Sequence, residues 1–326
     1  MKHGRVFVAL SFALASAVAA PQAAAAETCQ YRAQDLPLPE GVRWAVAKAS
    51  SDDNRLILGT TRPDAVDRGI VWRDGELEPL VPPPAGTGNV SVKDINNNGV
   101  VVGAMDVIDE DGELNSRAFR YQNGQYELLP VEKGERSSAS GVNDAGDIVG
   151  QVWRLGTTTS ATMWPVDGPR TTTHHEAEPI GITSDRKVVV RRTHSSPAIG
   201  WVVDLATGVT TPLPGEYPAV VVDNDRIIQA DAGTIVELDL SGHRVATHED
   251  GTGAWGKNST GTMFGRKYDT SGLSETILWQ QGNRELVETE QLPDPFYYGD
   301  VTDDGVLIGT HADWQPRPAR WFRTCV

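Results

Sequence analysis

Asn96-Asn97-Asn98-Gly99-Val100-Val101-Val102-Gly103 decides how this chain folds. The stretch reads N-x-x-G, then an apolar residue, any residue, Val and Gly. Asn143 to Gly150 (NDAGDIVG) nearly repeats it, and Thr302 to Gly309 (TDDGVLIG) follows it closely. Weaker copies run Asp52 to Gly59, Thr183 to Val190, Asp223 to Ala230 and Asn258 to Gly265. Their closing positions are 59, 103, 150, 190, 230, 265 and 309, so successive copies lie 44, 47, 40, 40, 35 and 44 residues apart. An aromatic strand and a second tight turn follow each copy after a variable gap. A period of about 40 residues with four short strands is what one blade of a β-propeller requires. The expected fold is therefore all-β, a seven-bladed β-propeller of four-stranded blades.

The second unit shows how one blade is written. Strand a is expected over Val90 to Ile95, strand b over Val100 to Ala104, strand c over Arg117 to Tyr121 and strand d over Gln125 to Leu129. Met105 to Ser116 reads as a loop. Asn96–Gly99 and Asn123-Gly124 read as turns, because Asn and Gly accept positive φ. Strand c carries Trp72, Phe119 and Tyr121, Trp164, Trp201, Trp279 and Trp321 in its successive copies. These aromatic residues are expected to pack between blades. Residues two before the repeat start are small or short in six units: Ser50, Asp94, Gly141, Gly181, Gly256 and Asp300. Inner strands crowd around the axis, and small side chains suit that crowding.

The last unit lacks a fourth strand. Tyr31 to Pro39 resembles the outer-strand endings at Tyr126 to Pro130 and Val209 to Pro214. The ring is thus expected to close by an N-terminal strand, Tyr31–Leu38, completing the last blade and removing an open edge. Cys29 and Cys325, 296 positions apart, would then lie on adjacent strands and form a disulfide.

Lys2 and Arg5 precede an apolar run, Val6 to Ala20, and Ala24-Ala25-Ala26 precedes Glu27. That is the pattern of a secretory signal peptide over residues 1–26, with one domain over 27–326. Losing Lys2 and Arg5 takes the formal charge from −15 to −17. A chain so acidic is not expected to bind nucleic acid or an anionic membrane, and no later segment reads as a membrane span. The mature protein is expected to be a secreted monomer.

The units resemble the extracellular HAF repeat of bacterial secreted proteins. Ile95-Asn96, Gly99 and Val102-Gly103 with Ala118-Phe119-Arg120-Tyr121 and Gly124 carry the likeness, and Val142-Asn143, Gly146 and Val149-Gly150 match its first half. The fourth and fifth units depart from it, with Thr183 and Asp223 for Asn and Val190 and Ala230 for Gly. The resemblance implies a secreted propeller and supplies no catalytic residue.

Catalytic signatures are wanting. Gly251-Thr-Gly253-Ala-Trp-Gly256 fits G-x-G-x-x-G as a string, but no helix follows to face a pyrophosphate. There is no G-x-S-x-G, H-E-x-x-H or C-x-x-C. The acidic run at Asp106, Asp109, Glu110, Asp111 and Glu113 lacks the alternating ligands of a calcium loop. The a–b and c–d turns are short and stereotyped, so Asn97 and Asn123 there are expected to take no part in partner binding. The d–a and b–c connections are longer, differ from unit to unit and share the other face. Loops held by a rigid scaffold are where binding residues concentrate. The expected binding residues there are Trp153, Trp255 and Trp314, Arg154 and Arg191, Tyr217 and Tyr298, with His174, His175, His194, His248 and His311. Aromatic and arginine side chains suit a protein, peptide or glycan partner. The expected function is cofactor-free binding, with no metal and no catalytic residue. The alternative is an extracellular hydrolase or lyase with its site in the central pocket of that face.

Overall fold

The computed structural model describes residues 29–109, 112–192, 199–214, 219–223, 226–231, 233–249, 251–268, 274–280, 283–287, 297–311 and 315–325. All secondary structure among them is β. The first strand, β1 (Cys29–Asp35), precedes the first complete blade. Blade 1 is β2 (Ala45–Ser50), β3 (Leu56–Thr61), β4 (Arg68–Arg73) and β5 (Glu76–Pro79). Blade 2 is β6 (Val90–Ile95), β7 (Val101–Ile108), β8 (Leu114–Gln122) and β9 (Gln125–Leu128). Blade 3 is β10 (Arg136–Val142), β11 (Ile148–Trp153), β12 (Ser160–Trp164) and β13 (Thr171–His175). Blade 4 is β14 (Ala177–Ile182), β15 (Lys187–Arg192), β16 (Gly200–Asp204) and β17 (Thr210–Pro212). Blade 5 is β18 (Ala219–Asp223), β19 (Arg226–Asp231), β20 (Thr234–Asp239) and β21 (Arg244–Glu249). Blade 6 is β22 (Gly253–Lys257), β23 (Met263–Tyr268), β24 (Ser274–Gln280) and β25 (Asn283–Leu286). Blade 7 is β26 (Tyr297–Val301), β27 (Leu307–His311) and β28 (Arg317–Cys325), completed by β1 in the order β1-β28-β27-β26. The molecule is a seven-bladed β-propeller.

The repeat residues each have a mechanical role. Gly99 and Gly146 hold φ of +75° and +89°, the left-handed region that favours glycine. The closing glycine is required by close approach. A Cβ at Gly103 would lie 2.1 Å from the Ser91 carbonyl oxygen, where strand a bulges against strand b. Asn96 Oδ1 accepts from the Val100 amide (2.9 Å), while its Nδ2 donates to the Asn143 carbonyl of the next blade (2.8 Å). Asn143 repeats this toward Thr183 (3.1 Å), and Asn258 toward Thr302 (2.8 Å). The repeat asparagine therefore caps its own turn and latches its neighbour.

Blade 1 shifts the register by one. Leu56 N donates to Ser51 Oγ (2.9 Å) and Ser51 N to the Leu56 carbonyl (2.8 Å). Ser51, not Asp52, fills the Asn96 place, because this turn is one residue longer. The small-residue layer accordingly has Ala49 where Ser50 was expected. The expected loop over 105–116 is also mostly strand. β7 and β8 stay paired from Val101↔Tyr121 out to Ile108↔Leu114, so alternating side chains outweigh the acidic run in between. The closing strand begins earlier than expected and ends at Asp35. Leu36 leaves it, donating to the Pro318 carbonyl (2.9 Å) and packing with Trp72 and Ile308 under blade 1.

The core is a set of apolar layers between neighbouring blades. Trp72, Phe119 and Trp321 are fully buried in three of them. The indoles of Trp72 and Trp164 donate to the carbonyls of Pro37 (2.7 Å) and Pro130 (2.9 Å), which satisfies their buried N–H groups. The strand-c aromatic residues thus fasten blade to blade.

Candidate functional site

Two surfaces follow from this frame, one at each end of the ring. The d–a/b–c end carries most of the described part of the expected binding set, Trp255 excepted. Trp153 ends β11 and is half-buried. Arg154 is tied into the preceding connection, to Glu132 Oε2 (2.9 Å) and the Lys133 carbonyl (2.8 Å). Arg191 is paired with Glu178, which also accepts from Gln151 (2.8 Å). His174 stacks on Trp201 with centroids 4.5 Å apart and planes at 21°. His175 Nδ1 lies 3.2 Å from Ser160 Oγ. His248 packs near Trp279 and meets Glu237 Oε1 at 2.6 Å. His311 packs on Trp321, and its Nε2 lies 3.1 Å from Asp35 Oδ1 without hydrogen-bond alignment. His194, Tyr217 and Trp314 lie outside the described residues, and Tyr298 is placed only as a backbone position of β26. The described histidines of this set thus sit in three blades, His174 and His175 in blade 3, His248 in blade 5 and His311 in blade 7, and three of them pack against a strand-c tryptophan. Among the described residues, no group of three or more His, Cys, Asp or Glu is placed to hold a metal ion.

The sequence reading missed the most prominent feature of this end. The β7–β8 hairpin has paired strands of eight and nine residues, where strands b and c of the next blade have six and five. On the outer reach of this arm Ile108 and Leu114 are cross-strand partners, 62% and 58% exposed. Leu155, in the b–c connection of blade 3, is 79% exposed. The arm is anchored on both strands, with Arg136 Nε donating to Asn115 Oδ1 (2.7 Å) and Asn89 Nδ2 to Asp106 (3.1 Å). The signal available in the sequence was the apolar pair flanking the acidic run.

The central channel holds a cavity of about 510 Å³ toward the a–b turns, the opposite end from the long connections. Every strand a carries a register shift there. A bulge re-aims a side chain, and the extra residues Lys48, Lys93, Ser140, Ile180 and Trp255 line the cavity. Trp255 is the one expected binding residue found here, packed on Phe264 with centroids 5.0 Å apart. Asp94 accepts the Ile95 amide and the Val142 amide of the next blade, both at 2.9 Å. Asp300 accepts from Val301 N (2.9 Å) and from Ser50 Oγ of blade 1 (2.8 Å). Burial pushes the Asp94 carboxyl up to about 7 and raises Asp300 as well. At the turn rim Asn97 Nδ2 donates to both Asp52 (2.9 Å) and Asp144 (2.8 Å), and Asn97 N donates to Asp144 (3.0 Å). Asn97 therefore bridges three blades. Burial, with Asp303 and Asp144 nearby, raises Asp52. Behind the wall Lys257 Nζ and His248 Nε2 each lie 2.6 Å from the buried Glu237 carboxylate. Burial opposes that charge, but these two partners prevail and hold Glu237 down at about 2.

No family model and no curated protein sequence matches the chain. Solved structures do match. An oligogalacturonate lyase from Vibrio parahaemolyticus is 11% identical with a TM-score of 0.61, over 91% of this chain and 98% of that one. The propeller domain of the Trilobed protease from Pyrococcus furiosus is 11% identical with a TM-score of 0.59, over 86% and 97%. The WD40 repeats of RRP9 are 12% identical with a TM-score of 0.55, over 90% and 97%. At such identities the likeness shows the fold alone, and the fold hosts lyases as well as WD40 domains.

Proposed function

We propose that this chain is an exported, non-enzymatic propeller that binds a protein, peptide or glycan partner through its d–a/b–c face. The observation that carries the reading is the β7–β8 arm, whose Ile108–Leu114 pair stands in solvent on an anchored hairpin. Apolar side chains held out on a rigid element are suited to burial in a partner. Leu155 and the half-buried Trp153 on the next blade extend the same end. The likeness of the repeats to the HAF family and the leader-like residues 1–26 support export. Export would set the molecule among envelope and extracellular partners, where it acts as a monomer.

The competing reading is a hydrolase or lyase. Its best support is Asp94, a carboxyl poised near neutrality. Both Asp94 oxygens are occupied by backbone amides, however. The test is capture from envelope and extracellular fractions with the mature chain as bait. An I108D/L114D variant should fold as the parent by circular dichroism and lose its partner. Two buried apolar anchors correspond to about 2 kcal/mol or more, roughly thirtyfold in affinity. Undiminished capture by that variant, with loss on Asn123→Ala at the other end, would contradict the assignment.

A further inference from the structure

The channel cavity has charge arranged in layers along its axis. Lys48 and Lys93 are the bulge residues of adjacent blades, and both line the cavity. Lys93 has no hydrogen bond or ion pair among the described residues. Burial lowers the Lys48 ammonium from its ordinary value against the opposing pull of Asp67, and an anion in the cavity would offset more of that cost. Toward the mouth the sign reverses. Asp94 comes next along the strand, and Asp52 and Asp144 stand on the turn rim with Asn97 between them. The wall across from the lysines carries the Trp255 ring. The volume, about 510 Å³, falls in the range of roughly 300–1,000 Å³ typical of small-molecule sites.

A simple anion would have to pass the acidic rim to reach the lysines. A simple cation would stop at the rim and leave Lys93 without a partner. We infer that the turn end of the channel binds a small zwitterion, a molecule with a carboxylate at one end and an amine at the other. The carboxylate faces Lys93 and Lys48, the amine faces Asp52 and Asp144, and the connecting chain lies against Trp255. The rim residue lies four positions after the bulge, at most about 13 Å of extended backbone. A six-carbon ω-amino acid spans that distance once the side chains reach inward. The site is separate from the partner face and independent of it.

Isothermal titration calorimetry on the mature chain with three probes of one skeleton tests this: 6-aminohexanoate, hexanoate and hexylamine. The zwitterion should bind one to one, with hexanoate and hexylamine each weaker by roughly tenfold or more, the value of one charge-assisted contact. Lys93→Met should weaken the zwitterion by a similar factor of about ten, and Lys93→Arg should restore it. I108D/L114D should leave it unchanged, so failure here is distinct from failure of the partner face. Absence of heat with 6-aminohexanoate, or hexanoate binding equally well, would overturn the inference.

Discussion

Asn96 shows how much one repeat residue does. It caps its own turn and donates to the next blade through a different atom. Asn96→Ser keeps a turn acceptor and loses the latch, so unfolding in urea should show a loss of about 1 kcal/mol. Asn96→Ala loses both and should cost about 2 kcal/mol or more. Equal stability of the two variants would contradict the dual role. Asp94 gives a pH signature. Its carboxyl rises from an ordinary 3.8 to about 7 in the fold, so the folded chain binds a proton that the unfolded chain has released. That contribution is fully present below pH 3.8 and is lost as pH rises through about 7. Asp300 and Asp52 act in the same sense. Glu237, depressed from 4.5 to about 2, acts oppositely, and its contribution is lost as pH falls through that window. Melting temperatures of Asp94→Asn across pH 4–7 should fall less steeply than those of the parent. An unchanged slope would show that Asp94 does not titrate there. The turn glycines and the Asn were legible from the repeat. The second donation by Asn was not, because it requires knowing that the next unit stands beside it in a ring.

At the scale of strands, the closing blade was legible because the last repeat lacks strand d while Tyr31 to Pro39 resembles one. The register bears on the cysteines. Cys29 and Cys325 are directly opposed Cα partners across β1 and β28. We therefore propose the disulfide on backbone placement as well as on cysteine count. Mass spectrometry of the chain made under oxidising conditions should show a loss of two hydrogens, and reduction should lower the melting temperature. The loop-entropy bound for so long a loop is roughly 5–6 kcal/mol. Two thiols alkylated without reductant would refute the bond. The extended β7–β8 arm was not legible, since its acidic tip read as loop while its pairing depends on the partner strand. Ser51 was misassigned for a related reason. A turn longer by one residue keeps the apolar pattern while moving the cap.

For the whole molecule, seven similar units imply the ring, but similarity cannot show which end is put to use. The histidines were placed on one face because their sequence positions fall in the d–a and b–c connections. In space they are spread around the ring, with His174, His248 and His311 each against its own tryptophan. The channel cavity arises from bulges that repeat in every blade, and a bulge leaves no mark in an apolar pattern. The central claim is that the partner is held at the d–a/b–c end. Hydrogen exchange of the mature chain, alone and saturated with the captured partner, tests it most directly. The account predicts new protection along the β7–β8 arm and around Trp153 to Leu155, with the Asn96–Gly99 and Asn123-Gly124 turns unchanged. Protection confined to those turns, with the arm exchanging as in the free chain, would contradict it.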